Sequence, residues 1–199
     1  MTLSTLRRAG IVTGLALAAA LTIAGDAFAQ EAQQKQPEAG LGIKGIGVRL
    51  GVVDPENAST AVTYGVHVDA GQLVKGLHLI PSLEYWNVGT DLGGISADVN
   101  DLSVRLAANF DFPLQGQRYT PYLGGAFGYH HVNGETNAPV APNTPDPNFS
   151  KDKFGFDLQG GVRNQFTPNL SMFGELGYSF VSDAAQLRLI GGLTYHFVY

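Results

Sequence analysis

From about residue 43 to the C-terminus, apolar and polar residues alternate with a period of two, which is the pattern of strands that separate two different environments. In 61–71, Val62, Tyr64, Val66, Val68 and Ala70 share one face, and Thr63, Gly65, His67 and Asp69 the other. In 102–112, Leu102, Val104, Leu106, Ala108, Phe110 and Phe112 oppose Ser103, Arg105, Ala107, Asn109 and Asp111. Near the end, Leu187, Leu189, Leu193, Tyr195, Phe197 and Tyr199 share a parity, with Ile190 and Val198 as exceptions. The pattern predicts eight strands, at about 43–53, 61–71, 76–87, 99–112, 119–131, 153–166, 169–181 and 185–199. Each is about as long as, or slightly longer than, the ~9–11 residues with which a tilted strand crosses a bilayer.

Which face is apolar decides between a soluble barrel and a membrane barrel, because the two invert each other. Only 15% of the residues are charged against 44% hydrophobic, where a soluble domain carries about 25% charged. A lipid-facing surface accounts for the deficit. With the first strand running outward, Tyr64, Tyr85, Phe127, Tyr129, Phe154, Phe156, Tyr178 and Phe180 fall near the outer strand ends. Phe110, Phe112, Tyr119, Phe166, Tyr195, Phe197 and Tyr199 fall near the inner ends. Two aromatic girdles around an aliphatic belt mark the two interfaces of a membrane barrel. A soluble periplasmic barrel holding an apolar ligand is the first alternative.

The N-terminus carries the export signal. Arg7 and Arg8 precede an apolar run from Ile11 to Ala24, and Ala27-Phe28-Ala29 forms an Ala-x-Ala site before Gln30. The run is shorter than the roughly 18 residues of a transmembrane helix. The Arg7-Arg8 pair does not indicate the twin-arginine route, since that route carries folded cargo. Residues 1–29 are therefore expected to be a cleaved signal peptide, 30–40 a disordered lead-in, and 41–199 the barrel. Cleavage after Ala29 removes two of 12 basic and one of 17 acidic residues, leaving 10 against 16. This mildly acidic chain has no basic patch, so nucleic acid is not an expected partner. There is no cysteine, which excludes thiol chemistry and a lipid-modified N-terminal cysteine.

Three connections read as tight turns, near Gly71-Lys75, Pro113-Arg118 and Thr167-Asn169. Gly89-Asp98 and Val132-Asp152 read as long outer loops, whereas Asp54-Thr60 and Ser182-Ala184 are short for that side. Val132–Ser150, with four prolines, is expected to be a mobile surface loop. The polar face carries Arg49, Glu84, Arg105, Asp157, Arg163, Glu175 and Arg188. Arg49, Glu84, Arg105 and Glu175 fall at similar depth, so they are expected to pair inside and leave no open pore.

Several segments resemble a known group. Thr120–Tyr129 (TPYLGGAFGY) resembles the fifth-strand motif of the outer-membrane β-barrel family that includes OmpA-type and OmpX-type proteins, and Pro81–Tyr85 (PSLEY) is similar to its third-strand motif. Gly192–Phe197 (GLTYHF) resembles the C-terminal signal read by the barrel-assembly machinery, with Tyr199 where the family usually ends in Phe. The resemblance covers roughly 40–199. It implies an all-β, eight-stranded antiparallel up-and-down transmembrane barrel in the cell envelope of a Gram-negative bacterium, without a peptidoglycan-binding domain. The implied partners are outer-membrane lipid, lipopolysaccharide and the assembly machinery.

No catalytic, cofactor-binding or metal residue is assigned. Some small outer-membrane barrels modify lipid A, and that is the second alternative. It requires Ser, His and an acid at one rim. His130, His131, Glu135, Ser179 and Ser182 lie near the outer ends, but their spacing singles out no triad. Adjacent His130 and His131 point to opposite faces, which disfavours one shared metal. His67, His78 and His196 read as polar filler of the interior. Gly124-Gly125 and Gly160-Gly161 precede no helix, so close packing explains them better than phosphate binding. The expected role is structural or surface-interacting, without catalysis.

Overall fold

The computed structural model describes residues 40–56, 58–92, 95–137, 148–182 and 184–197. They form eight strands: β1 (Gly40–Pro55), β2 (Ala61–Val74), β3 (Leu77–Leu92), β4 (Ile95–Asp111), β5 (Tyr119–Thr136), β6 (Phe149–Thr167), β7 (Leu170–Val181) and β8 (Ala184–His196). Every strand pairs antiparallel with its sequence neighbours, and β8 returns to β1 to close the barrel. That seam runs unbroken from Gly45↔His196 to Pro55↔Gln186. Closure leaves no strand edge within the bilayer, which is the condition for a sheet to exist there. The expected signal peptide, nearly all of the lead-in, and Tyr199 lie outside the described residues.

The facing is that of a membrane barrel. On β4, Leu102, Val104, Leu106 and Phe110 are 42–54% exposed, while Ser103, Arg105, Ala107 and Asn109 are 1–4% exposed. On β1, Ile46, Val48, Leu50 and Val52 face out around a buried Arg49. A soluble barrel would reverse this, so that alternative falls. The girdles are physical clusters. At the outer end Tyr64 meets Tyr85 at 5.6 Å, and Phe154 lies 5.7 Å from Phe127 and 5.5 Å from Tyr129. At the inner end Phe110 meets Phe112 at 5.2 Å and Tyr195 meets Phe197 at 5.8 Å.

The expected loops need correction. Gly89–Asp98 is not a loop: β3 and β4 stay paired from Trp86↔Asp101 up to Leu92↔Ile95. The expected loop Val132–Ser150 is also shorter, because β5 runs to Thr136, and β6 begins at Phe149, opposite Gly134. Pro139, Pro142, Pro145 and Pro147 lie outside the described residues. Beyond the outer girdle, then, β3 to β6 rise together as a four-stranded ribbon. About six residues at ~3.3 Å each make it roughly 20 Å long. On the other side of the barrel, β1–β2 stop at Val53↔Ala61 and β7–β8 at Val181↔Ala184. At the inner end the first turn falls at Lys75-Gly76, later than expected. Gly71, with φ 84°, belongs to an irregular stretch of the β1–β2 and β2–β3 pairings, and its N–H is held by Asp69 Oδ1 at 2.9 Å.

Candidate functional site: the charged lumen

Glu84 on β3 lies at the centre of the lumen. Its Oε1 accepts a hydrogen bond from Arg105 Nη1 at 2.9 Å and lies 3.2 Å from Arg49 Nε. Its Oε2 accepts from Arg188 Nη2. Arg105 continues to Asp157, donating to Oδ2 through both Nη2 and Nε, the latter at 2.7 Å. Arg49 Nη2 donates to Glu175 Oε1 at 2.6 Å, and Tyr122 donates to Glu175 Oε2 at 3.0 Å. Three arginines thus meet three carboxylates, contributed by β1, β3, β4, β6, β7 and β8. All six residues are at most 5% exposed. Such deep burial of charge is tolerable only with this balance and dense hydrogen bonding.

The expected cluster of four is therefore part of a cluster of six. Asp157 and Arg188 stand on the face that alternation assigns to them. Their depth depends on the stagger of the strands around the barrel, which sequence position along one strand does not reveal.

Toward the inner end, His78 lies between Asp69 at 3.5 Å and Asp111 at 3.3 Å, and Arg163 pairs with Asp111 at 2.9 Å. His67 meets Thr194 at 2.9 Å and His196 meets Ser171 at 2.8 Å, both within the lumen. The rings of Phe173 and Tyr122 also turn inward, with Arg49 and Arg163 at 5.4 and 5.5 Å from their centroids. A cavity of about 20 Å³ remains among Arg49, His67, Tyr122, Phe173 and Glu175. That is room for about one water molecule.

The interior glycines make space for these rings. A Cβ added at Gly161 would stand 2.6 Å from Tyr122 Oη, and one at Gly192 would overlap the Phe173 ring. Toward the outer end, His130 Nδ1 lies 2.8 Å from Asp101 Oδ2. Trp86, directly opposite Asp101 and 5% exposed, packs with Val53 and Ala61 against Val88 and Val99. The chain's single tryptophan thus lies inside the barrel, where a membrane-interface position would be the simple expectation. Its parity with Glu84 is the sequence signal that places it there.

Of the residues tested for catalysis, His130 and Ser179 are buried in the lumen, whereas Glu135 and Ser182 are exposed on the outside. His131 points outward and pairs with Asp152 at 2.7 Å, so the two adjacent histidines do take opposite faces. Among the described residues, no group of three or more His, Asp or Glu side chains is arranged to hold a metal ion.

The lumen and the lipid-facing belt can be set beside known proteins. Neisserial surface protein A has a similar fold, with a TM-score of 0.61 at 16% identity over 79% of this chain and 99% of that one. Ail, the attachment invasion locus protein of Yersinia pestis, gives 0.51 at 15% identity over 80% and 99%. A major outer membrane protein of Thermus thermophilus gives 0.51 at 16% over 77% and 98%. No curated protein matches the sequence significantly. Residues 13–197 match the outer membrane protein beta-barrel domain. By that match and by its closed, lipid-facing eight-stranded architecture, the chain belongs to the outer-membrane β-barrel protein family, and its place is the outer membrane.

Proposed function

We propose that this protein is a non-conducting outer-membrane barrel with a structural or surface-interaction role and no catalytic activity. The observation that carries this reading is the six-member charge network, which fills the lumen at mid-height from six of the eight strands. Three guanidinium groups locked to three carboxylates hold the section an ion would need, and the Trp86 cluster closes the way above it. The belt of exposed Leu, Val and Phe takes outer-membrane lipid, and the girdle above it lies against the sugar and phosphate region of lipopolysaccharide. The ribbon of β3 to β6 is the surface available to partners. The strand β8, with Tyr195 near its end and Phe197 just beyond it, is the element offered to the barrel-assembly machinery. A lipid A-modifying role is disfavoured, since His130 and Ser179 are shut inside while Ser182 and Glu135 stand outside.

Reconstitution into planar bilayers tests the proposal. Only brief, small current events are expected, because side chains fill an eight-stranded lumen. Sustained conductance of general-porin size overturns it.

A further inference from the structure

At the inner mouth of the lumen the sheet is irregular. Between His67 and Val74 the pairing of β2 with β3 shifts register twice, and the chain then turns at Lys75-Gly76. His78 stands just inside this turn on β3, directly opposite Gln72. Its two ring nitrogens face different neighbours. Nδ1 lies 3.5 Å from Asp69 Oδ1 on β2. Nε2 lies 3.3 Å from Asp111 Oδ2 on β4 and 3.1 Å from Nε2 of Gln72.

The two neighbours of Nε2 make opposite demands. The Gln72 amide is fixed in direction, because its Oε1 accepts the Gly76 N–H at 2.9 Å and its NH2 end therefore faces the ring. An amide NH2 donates and needs a lone pair on Nε2, whereas a carboxylate accepts and needs a proton there. A neutral imidazole has one N–H and one lone pair, and an imidazolium has two N–H groups. With Nδ1–H directed to Asp69, the proton on Nε2 chooses between Gln72 and Asp111.

The surrounding charges leave room for that proton. Asp69 and Asp111 bring two negative charges, and Arg163 on β6 cancels one through its 2.9 Å contact with Asp111. A proton on His78 cancels the other, and a buried carboxylate without a counter-charge is costly. On β8, His196 Nδ1 lies 3.8 Å from Asp69 Oδ2. On β1 the stem of Lys44 runs beside Gly71, and Lys75 is exposed in the turn. Both carboxylates also belong to residues that hold the irregular stretch: Asp69 Oδ1 accepts the Gly71 N–H, and the Asp111 N–H donates to Gly76 O at 2.8 Å.

We propose that His78 is a proton-operated latch on the inner mouth of the barrel. Charged, it bridges Asp69 on β2 and Asp111 on β4 and ties the β2–β3 turn across the mouth. When its Nε2 proton leaves to water, the ring turns its lone pair to Gln72 and lets Asp111 go, so β4 is freed from the turn. The latch is shut at low pH and released as pH rises, in the range where a histidine ordinarily changes charge, about pH 5 to 8.

The test uses the folded protein in nanodiscs, labelled with 15N-histidine, and follows ring nitrogens by NMR from about pH 5 to pH 9. Loss of its signals in His78→Gln assigns the ring. Both nitrogens of His78 should carry protons at the acid end, and the neutral form should keep its proton on Nδ1. Asp111→Asn should move the conversion to lower pH, by about one pH unit or more. Gln72→Glu exchanges the donor for an acceptor and keeps the acceptor for Gly76, so it should move the conversion to higher pH. Exchange protection of the Asp111 N–H, corrected for the intrinsic effect of pH, should fall severalfold across the conversion. Heat-modifiable gel migration checks that each variant is folded. If Asp111→Asn does not fold, the wild-type titration and its neutral tautomer still decide. The proposal is overturned by a ring that keeps one charge state throughout, or by a neutral form protonated on Nε2. A conversion that Asp111→Asn leaves in place, or unchanged protection at Asp111, overturns it equally.

Discussion

Glu84 and Arg105 sit on adjacent strands but are not directly opposite. Arg105 is paired with Ser82, and its guanidinium reaches two residues along β3 to hold Glu84 Oε1 at 2.9 Å. The diagonal allows each to serve other partners: Asp157 and Gln159 for Arg105, Arg49 and Arg188 for Glu84.

Non-additivity follows from this sharing. Glu84→Gln leaves the network with excess positive charge and Arg105→Met with excess negative charge, each at a cost of about 3–5 kcal/mol. The double variant restores balance, so it should cost less than the summed singles, by about 1–3 kcal/mol. Urea unfolding in lipid vesicles measures the cycle. Strict additivity would mean that the two groups do not interact.

Lipid exposure gives a second expectation. Leu106 is 53% exposed in the belt, and Leu106→Arg should cost about 2–4 kcal/mol if it sits near the midplane. Ala97 is exposed on the ribbon above the girdle, so Ala97→Arg should change stability little. Equal losses in the same vesicle assay would place the membrane boundary wrongly.

Trp86 reports directly on its own position, since it is the chain's single tryptophan. Enclosed in the barrel, its fluorescence should resist both brominated lipid and aqueous acrylamide. Strong quenching by brominated lipid would put the ring outside. Trp86→Ala removes the cap and should destabilise by about 3–5 kcal/mol.

At Gly161 the crowding with Tyr122 makes a further case. Gly161→Ala drives its Cβ against the Gly174 carbonyl as well as the Tyr122 hydroxyl, so the β6–β7 backbone must shift and Tyr122 must loosen from Glu175, with an expected cost of about 1–3 kcal/mol. A neutral effect, read from the urea midpoint, would show that both the backbone and the tyrosine ring yield freely.

Export is tested by intact mass. The mature protein should begin at Gln30, and a retained segment through Ala29 would refute the cleavage site.

Much of this protein was legible in its residue order. Within the bilayer each strand has lipid on one side and a filled polar lumen on the other, so facing is written into alternate residues. That is why Leu106 and Arg105, or Val48 and Arg49, could be assigned from alternation alone. The same contrast disappears above the girdle, where both faces of Gly89–Asp91 and Asn133–Thr136 meet water or the barrel mouth. Alternation then carries no signal, and the ribbon reads as loop. Depth is the other quantity the tertiary structure decided. Arg188 and Asp157 join Glu84 because the strands are staggered as the sheet closes, and stagger arises from pairing between distant segments. Alternation can therefore say which side chains enter the lumen, while only closure of β8 on β1 determines which of them meet.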